Sequence, residues 1–580
     1  MDSPVNFFRI FSTFALTAVV TLSLNSCASA QQSAFPSLNN MDTGEVPMAR
    51  TLSGNYLAGR FAQRHKDWDA AQKYMNAVIA FDGDNTLLQQ RAFLLSIGAQ
   101  EYKNARKLAD ELKANSGSTE LALIYLACDD LANGHYKKAL ENIERLPEDG
   151  FGQYTKPLLT AWSHAGMGDF DKALKTLQEK SEDTDPTYNI HAALMYEMMD
   201  KRTEAEKHFR SAMENGLTMH TAILAANFFQ RNNKAHVAKT IYDGLGKLYP
   251  LNPFTAAPTF SASGRPNVTR AAEGASIALF ELATLLYERR AYDSAQIYGS
   301  IVLLLDPQTP FAIMMMGDLS ALNEQYSKAI GYYDMVVENT PLYWLSRMRV
   351  AEVYEISDNL ERAAALLNNL SKKDSTRMQA LVSLGDLYRR HEDFENALKA
   401  YDTALSGIGT LTEEHWPVIY ARGMSLERLN NWERAEKDLL QALSFQPDNP
   451  MILNFIGYTW ADKGIHLDKA LDYIRRAVAQ RPDDGYIVDS LGWALYKTGN
   501  YKEALEWLER AVSIVPDDST ILDHLGDAYW QVGRTAEARF KWRRAQELSR
   551  DTAFRSTIEK KLLTGIETIP AQVAQKETNL

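Results

Sequence analysis

The chain has 580 residues, of which 45% are hydrophobic and 23% are charged, and its formal net charge is −12. This composition disfavours both a disordered chain and a polytopic membrane protein. The acidic balance argues against a nucleic-acid partner, which requires a basic surface. The two cysteines, Cys27 and Cys128, form no CxxC or Cys/His cluster, so we expect no metal site. Cys128 falls in a predicted helix and is interpreted as a small buried apolar side chain.

The first 26 residues are typical of an export signal. Arg9 precedes an apolar stretch, 10–24, that is too short and too rich in Ser and Thr for a membrane span. It runs into Leu-Asn-Ser-Cys, which resembles the bacterial lipobox and makes Cys27 the lipidated first residue of the mature protein. Ala28 in second place favours the outer membrane. Two alternatives remain: cleavage after Ala30, which would release a soluble periplasmic protein, and an uncleaved anchor.

A repeat of about 34 residues dominates the rest of the chain. The segment SLGWALYKTGNYKEALEWLERAVSIVP, 490–516, carries the tetratricopeptide pattern of small residues near the middle of each of two helices. The first small position is filled by Ala58, Ala92, Ala127, Ala161, Ala193, Ala226, Ala283, Gly317, Ala351, Gly385, Gly423, Gly457, Gly492 and Gly526. The second is filled by Ala70, Ala105, Ala139, Ala173, Ala205, Ala238, Ala295, Ala329, Ala363, Ala397, Ala435, Ala470, Ala504 and Ala538.

This spacing predicts an all-α protein: an α-solenoid of about fourteen helix-turn-helix repeats that form a right-handed superhelix. The small residue of the first helix is expected to face that of the second helix, so that the two backbones approach closely. Larger residues such as Tyr333, Tyr401 and Trp542 are expected to fill the gap to the next repeat.

The predicted organisation has six parts. They are a signal peptide, 1–26; a lipidated tether, 27–50; repeats 1–6, 51–250; an irregular loop, 251–275; repeats 7–14, 276–552; and a capping helix with a disordered tail, 553–580. The loop is interpreted either as a tolerated surface insertion or as a hinge that contacts a partner.

No catalytic motif accompanies the repeats. The patterns HExxH, GxxxxGK[ST], GxGxxG and GxSxG are absent, and the eleven histidines are scattered without the spacing of metal ligands. We therefore expect a non-catalytic protein without cofactor or metal, which binds proteins or peptides.

In tetratricopeptide arrays the first helix of each repeat lines the concave surface. Carried onto the best-matched repeats, its inward positions give a set of candidate partner-binding residues: Asn454, Tyr458, Tyr486, Asp489, Trp493, Tyr496, Asp523, Asp527 and Trp530. Aromatic side chains beside carboxylates suit a peptide with apolar and basic side chains. The basic clamp of chaperone-binding repeats is missing, because aspartate stands where lysine or asparagine would be needed.

The stretches GYTWADKGIHLDKALDYIRRAVAQRPDDGYIVDSLGWALYKTGNYKEALEWLERAV and LDHLGDAYWQVGR resemble the large tetratricopeptide-repeat lipoproteins of the Gram-negative outer membrane, of the LbcA and NlpI type. The resemblance implies an adaptor that delivers substrates to a periplasmic carboxyl-terminal processing protease, which is a serine protease. The alternative is an assembly scaffold for a secretion, polysaccharide-export or pilus machine. Repeats specify a fold better than a partner.

The lipobox makes a direct prediction. Cys27→Ala should abolish both fatty-acid labelling and membrane retention, because the cysteine thiol is the acyl acceptor. Metabolic labelling followed by membrane fractionation measures both. Label on the Cys27→Ala protein, or a soluble natural protein that begins at Gln31, would contradict the prediction.

Overall fold

The computed structural model describes residues 48–114, 119–180, 185–248, 265–338, 340, 342–372, 377–406 and 408–567. Over these residues the chain forms 29 α-helices and no strand. Consecutive helices pack as antiparallel hairpins, from α1 with α2 to α27 with α28, and α29 follows the last pair. The predicted all-α repeat fold is therefore confirmed. The signal segment, Cys27, most of the tether, 251–264 and 568–580 lie outside the described residues.

The chain divides into two compact units, and the division falls between Asn369 and Leu370, at the end of α18. The first helices of the hairpins in unit 1 are α1 Leu52–Arg64, α3 Thr86–Gly98, α5 Glu120–Ala132, α7 Gly152–Gly166, α9 Pro186–Met198, α11 Met219–Arg231, α13 Ala271–Glu288, α15 Pro310–Leu322 and α17 Tyr343–Ile356. The second helices are α2 Trp68–Phe81, α4 Tyr102–Ala114, α6 Tyr136–Glu144, α8 Phe170–Lys180, α10 Arg202–Asn215, α12 Ala235–Leu248, α14 Tyr292–Leu305, α16 Tyr326–Asp334 and α18 Leu360–Leu370.

Unit 2 contains the remaining hairpins and the final helix. Its first helices are α19 Arg377–Arg390, α21 Trp416–Arg428, α23 Pro450–Lys463, α25 Gly485–Lys497 and α27 Ser519–Gln531. Its second helices are α20 Phe394–Ser406, α22 Trp432–Phe445, α24 Leu467–Gln480, α26 Tyr501–Ile514 and α28 Thr535–Leu548, and α29 spans Thr552–Thr564.

Short proline–aspartate turns separate the last four hairpins of unit 2. Helices α24 and α26 end two residues before Pro482 and Pro516, because proline disfavours helical backbone in the residue that precedes it. Asp484 and Asp518 then cap α25 and α27: the carboxylate of each accepts hydrogen bonds from main-chain N–H groups two and three residues later.

Each hairpin is built on a seam of very small residues. A Cβ added to Gly492 would lie 2.5 Å from Leu508 Cγ, and one added to Gly317 would lie 2.4 Å from the Tyr333 ring. In these two hairpins the first-helix glycine meets the residue one turn beyond the alanine of the second helix, whereas a Cβ added to Gly457 would lie 2.9 Å from the carbonyl oxygen of Ala470, the alanine expected to face it. The alanines are buried all the same: Ala329 and Ala504 are fully buried.

The large residues of the second helix complete this contact within their own hairpin. Each packs over the glycine of its hairpin and donates a hydrogen bond to the aspartate that follows that glycine. The bonds join Tyr333 to Asp318 and Tyr401 to Asp386 at 2.6 Å, and Trp542 to Asp527 at 2.9 Å.

The first repeat is displaced by one residue from its predicted register. Gly59 and Ala71 are buried at the seam, whereas the predicted Ala58 and Ala70 are only half-buried. Asp67 caps α2 by accepting a hydrogen bond from the N–H of Ala70. The cap fixes where the helix begins and therefore places the fourth residue after it, Ala71, against α1.

Helices α13 and α14 pack against the first helices α3, α5, α7 and α9 of the same unit. Gln296 donates a hydrogen bond to the carbonyl of Gly98 at 3.0 Å, and Tyr102 donates one to the carbonyl of Ser300 at 2.8 Å. The 18-residue helix α13 is buried on nearly every side. The seventh hairpin thus fills the inner face of the earlier repeats, and residues 251–264 of the predicted loop lie outside the described residues.

Helix α13 begins at Ala271, five residues before the predicted start of repeat 7 at residue 276. The Glu273 carboxylate accepts hydrogen bonds from the main-chain N–H groups of Thr269 and Arg270, at 2.7 and 3.3 Å, and so closes the first turn. Cys128 of α5 is fully buried as expected, and burial raises the pKa of its thiol.

The close packing at the seam limits the size of the side chain that a seam glycine can be replaced with. Gly492→Leu should lower the free energy of unfolding by about 1–3 kcal/mol, since a branched side chain must displace Leu508 and the backbone beside it. The matched control is Gly331→Leu in α16, where nothing lies within 4 Å of an added Cβ. Chemical unfolding followed by circular dichroism measures both, and equal stability of the two variants would contradict the packing argument.

Candidate functional site on the first-helix face of unit 2

The predicted partner-binding residues occupy one face on each of three successive first helices. Spacings of three, four and seven residues place Asn454 with Tyr458 on α23, and Tyr486 through Tyr496 on α25. Asp523 with Trp530 continues the face on α27. Neighbouring helices contact one another, so the three rows form one continuous surface.

On α25, Tyr486 and Asp489 have opposite environments. The Tyr486 side chain is 58% exposed, whereas Asp489 is buried. Both oxygens of the Asp489 carboxylate lie 3.0 Å from Nδ1 of the buried His524 on α27. Burial alone would lower the pKa of His524, but Asp489 raises it, with help from Asp523 and Asp527. Asp489 thus joins two helices, and Tyr486 is the residue of this pair that is open to solvent.

Trp493 and Tyr496 belong to a stack of aromatic rings. The indole of Trp493 lies 4.0 Å from the His524 ring and 4.9 Å from the Tyr496 ring, with interplanar angles of 13° and 5°. Its Nε1 donates a hydrogen bond to Asp462 of α23 at 3.2 Å, and Lys497 lies 5.4 Å from its ring centre. Trp493 therefore combines packing between first helices with partial exposure.

On α27 the predicted residues contact α29 and the residues after it. Lys561 places its ammonium 2.7 Å from Asp523 and 2.8 Å from Asp527, and Trp530 donates a hydrogen bond to the carbonyl of Ile566 at 2.8 Å. Burial alone would lower the pKa of Lys561, but the two carboxylates raise it. This end of the face is already occupied by the chain itself.

On α23, Asn454 and Tyr458 are half-buried. The Asn454 side-chain oxygen is buried and has no hydrogen-bond partner. Burial raises the pKa of the Tyr458 hydroxyl, and the carboxylates of Asp462, Asp489 and Glu427 raise it further. Met451, one turn before Asn454, is 49% exposed and occupies the position that Tyr486 has in the next repeat.

The residue that follows the seam glycine explains which positions stay open. In three hairpins it is an aspartate bonded to an aromatic residue of its second helix, as described above. In the three consecutive hairpins between α21 and α26 the second helix carries an aliphatic residue at that place, and the residue after the glycine is Met424, Tyr458 or Trp493. In these three hairpins the position after the glycine therefore carries an apolar or aromatic side chain.

Sequence reasoning missed four residues of this surface: Met451, Asp462, Lys497 and His524. The period could have found Met451, because it stands 35 residues before Tyr486. The pairing of Asp462 with Trp493 and Lys497, at 3.2 and 3.6 Å, joins two repeats, and a single repeat contains no signal for it.

In unit 1 the corresponding face of α3, α5, α7 and α9 is covered by α13 and α14. Within the described residues no group of three or more His, Cys, Asp or Glu side chains is arranged to hold a metal ion. Among the helices of the described segments, none combines the length and apolar character needed to cross a membrane.

Residues 357–409 and 420–485 match the family model described as tetratricopeptide repeat, and residues 492–533 match a second one described as TPR repeat. The chain therefore carries tetratricopeptide repeats, which form scaffolds for interactions between proteins. It is similar to the TPR repeat-containing protein PA4667 of Pseudomonas aeruginosa, with 29% identity over 185 residues. The match covers 32% of this chain and only 30% of that relative.

Two solved structures are among those that the chain matches. The Cut9–Hcn1 hetero-tetramer of the APC/C matches with a TM-score of 0.37 and 15% identity, over 89% of this chain and 97% of that one. Yeast Tom70 matches with a TM-score of 0.32 and 16% identity, over 91% and 96%.

The His524–Asp489 pair predicts a pH dependence. The folded pKa of His524 lies above the ordinary 6.5. The pair therefore stabilises the fold fully below about pH 6.5, and this contribution is lost as the pH rises through the folded pKa of His524. His524→Gln should remove that step from thermal unfolding curves recorded between about pH 5.5 and 9. His236→Gln, an exposed control, should keep it. An unchanged step in His524→Gln would exclude His524 as its origin.

Proposed function

We propose that this chain is a non-catalytic scaffold of the bacterial cell envelope that binds polypeptides on the first-helix face of unit 2. The open apolar patch in the middle of that face supports the proposal most directly. It contains Met451, Tyr458, Tyr486 and Trp493, which two neighbouring helices bring together. In unit 1 the equivalent face of α3, α5, α7 and α9 is filled by α13 and α14.

The chemistry of the patch selects a class of ligand. Exposed aromatic and methionine side chains bind apolar side chains by excluding water, and such anchors contribute most of the affinity in many interfaces. The carboxylates of Asp462 and Glu427 act on the Tyr458 hydroxyl, whose pKa they raise, and so provide negative charge near the patch. A segment with alternating apolar and basic side chains matches both features.

Within this function we favour an adaptor that delivers substrates to a periplasmic serine protease. The resemblance of the C-terminal repeats to outer-membrane lipoproteins of that type supports this role, and a lipid anchor at Cys27 would hold the scaffold at the membrane that its partners share. The competing role is an assembly scaffold of a secretion, polysaccharide-export or pilus machine. The two roles differ in the partner, not in the surface.

A photo-crosslinking amino acid at position 486 tests the surface in cells. We expect it to trap a defined partner, because Tyr486 is the most exposed aromatic residue of the patch. The matched control is position 506, an exposed site on the second helix of the same hairpin. In the purified complex, Tyr486→Ala should weaken binding about tenfold or more, the factor that 1.4 kcal/mol represents, without changing the melting temperature.

The identity of the trapped protein separates the two roles. A PDZ-containing serine protease or its substrate supports the adaptor, whereas components of an export channel or pilus support the assembly scaffold. Equal crosslinking from positions 486 and 506 would place the working surface elsewhere. Trp493→Ala is a less selective test, since removal of that ring also breaks its stack with His524 and Tyr496.

A further inference from the structure

The three residues that follow α29, Gly565 to Glu567, run across the end of the first-helix face without forming a helix. We call them the strap. Trp530 Nε1 donates a hydrogen bond to the carbonyl of Ile566 at 2.8 Å, and Gln531 Nε2 donates one to the carbonyl of Glu567 at 2.8 Å. Two successive main-chain carbonyls of the strap are thus bound by two successive side chains of α27.

The strap also requires a particular residue at its start. Gly565 has φ = 72°, a left-handed conformation that favours glycine. A Cβ at this position would lie 2.0 Å from Cζ2 of Trp530, so any side chain would collide with the indole. Glycine is therefore favoured at position 565 for two reasons: the positive φ and the lack of room for a Cβ beside Trp530.

The residue after the glycine packs into an apolar environment. Ile566 is half-buried in the same hydrophobic cluster as Trp530 and Tyr496. Gln531 also donates a hydrogen bond to the Tyr496 hydroxyl at 3.3 Å, which connects the strap contacts to the open part of the face. A bound segment longer than the strap would therefore reach Tyr496 as it extends from α27 towards α25.

We propose that Trp530, Gln531 and Tyr496 form a binding site for an extended polypeptide segment of a partner protein, in which a glycine is followed by an aliphatic residue. The strap occupies this site in cis. The inference rests on the proposed function and adds to it a main-chain subsite with a sequence preference, next to the apolar patch.

Two physical features govern the exchange of the strap with a partner. It is joined to the rest of the chain at α29, which makes contacts of its own through the buried Ile558 and the ion pairs of Lys561. The short tether gives the strap an effective concentration on the order of millimolar at its site. A free segment of equal affinity, present at a lower concentration, therefore cannot displace the strap. A partner that also engages the apolar patch gains the additional contacts needed to displace it.

The test uses the full chain with Gly565→Ala, which should release the strap and leave α29 in place. The probe is a fluorescein-labelled peptide with the sequence of residues 561–567, KLLTGIE. In fluorescence anisotropy titrations we expect it to bind the Gly565→Ala chain at least tenfold more tightly than the unaltered chain. The peptide KLLTAIE should bind neither. Adding Trp530→Phe, which keeps a ring but removes the N–H donor, should weaken binding about fivefold.

Equal affinity of KLLTGIE for the unaltered and Gly565→Ala chains would overturn the proposal, as would equal affinity of KLLTGIE and KLLTAIE. If circular dichroism shows that Gly565→Ala loses helix, the chain ending at Thr564 serves as the second strap-free variant, and the same titrations decide. If KLLTGIE does not bind as expected but position 486 still crosslinks a partner, only the strap proposal is contradicted. If position 486 traps no partner while KLLTGIE binds as expected, only the proposed function is contradicted.

Discussion

The close approach of two helices through a glycine or alanine seam is the constraint on which the rest of this protein depends. At Gly492 and Gly317 even one methyl group would fall within 2.5 Å of the facing side chain. Such proximity leaves no room for variation in the geometry of a hairpin, because protein interiors are packed nearly as tightly as organic crystals. Hairpins built on this seam can therefore pack their two helices in the same manner.

The seam also determines what reaches the surface. Where the second helix contributes Tyr333, Tyr401 or Trp542, the residue after the glycine is an aspartate that satisfies the hydroxyl or indole N–H of that ring. Where the second helix contributes an aliphatic side chain, there is no such group to satisfy. The position after the glycine then carries Met424, Tyr458 or Trp493, and the face acquires its apolar patch. The replacement of an aromatic by an aliphatic residue on the second helix thus accompanies the replacement of a carboxylate by an apolar or aromatic side chain on the first-helix face.

Much of the fold could be predicted from the sequence, because a tetratricopeptide hairpin is specified by residues that are close together in the chain. The period, the seam alanines and the proline–aspartate turns are all local signals. The error at Ala58 and Ala70 arose where the first repeat offers neighbouring small residues, and only the Asp67 cap decides between them. The candidate surface was predicted less well. Asp489, Asp523 and Asp527 have the right spacing, but their partners His524 and Lys561 come from neighbouring helices.

The packing of α13 and α14 into the inner face of unit 1 has a consequence for the order of folding. An ordinary repeat array folds by nearest-neighbour contacts, so each hairpin can settle on the preceding one as it appears. Unit 1 departs from this rule, because Gln296 meets Gly98 and Lys66 meets Asp293 across some 200 residues of chain. Contacts of such sequence separation slow folding and make it more cooperative. The inner faces of the earlier hairpins therefore stay uncovered until the residues up to Leu305 have been synthesised.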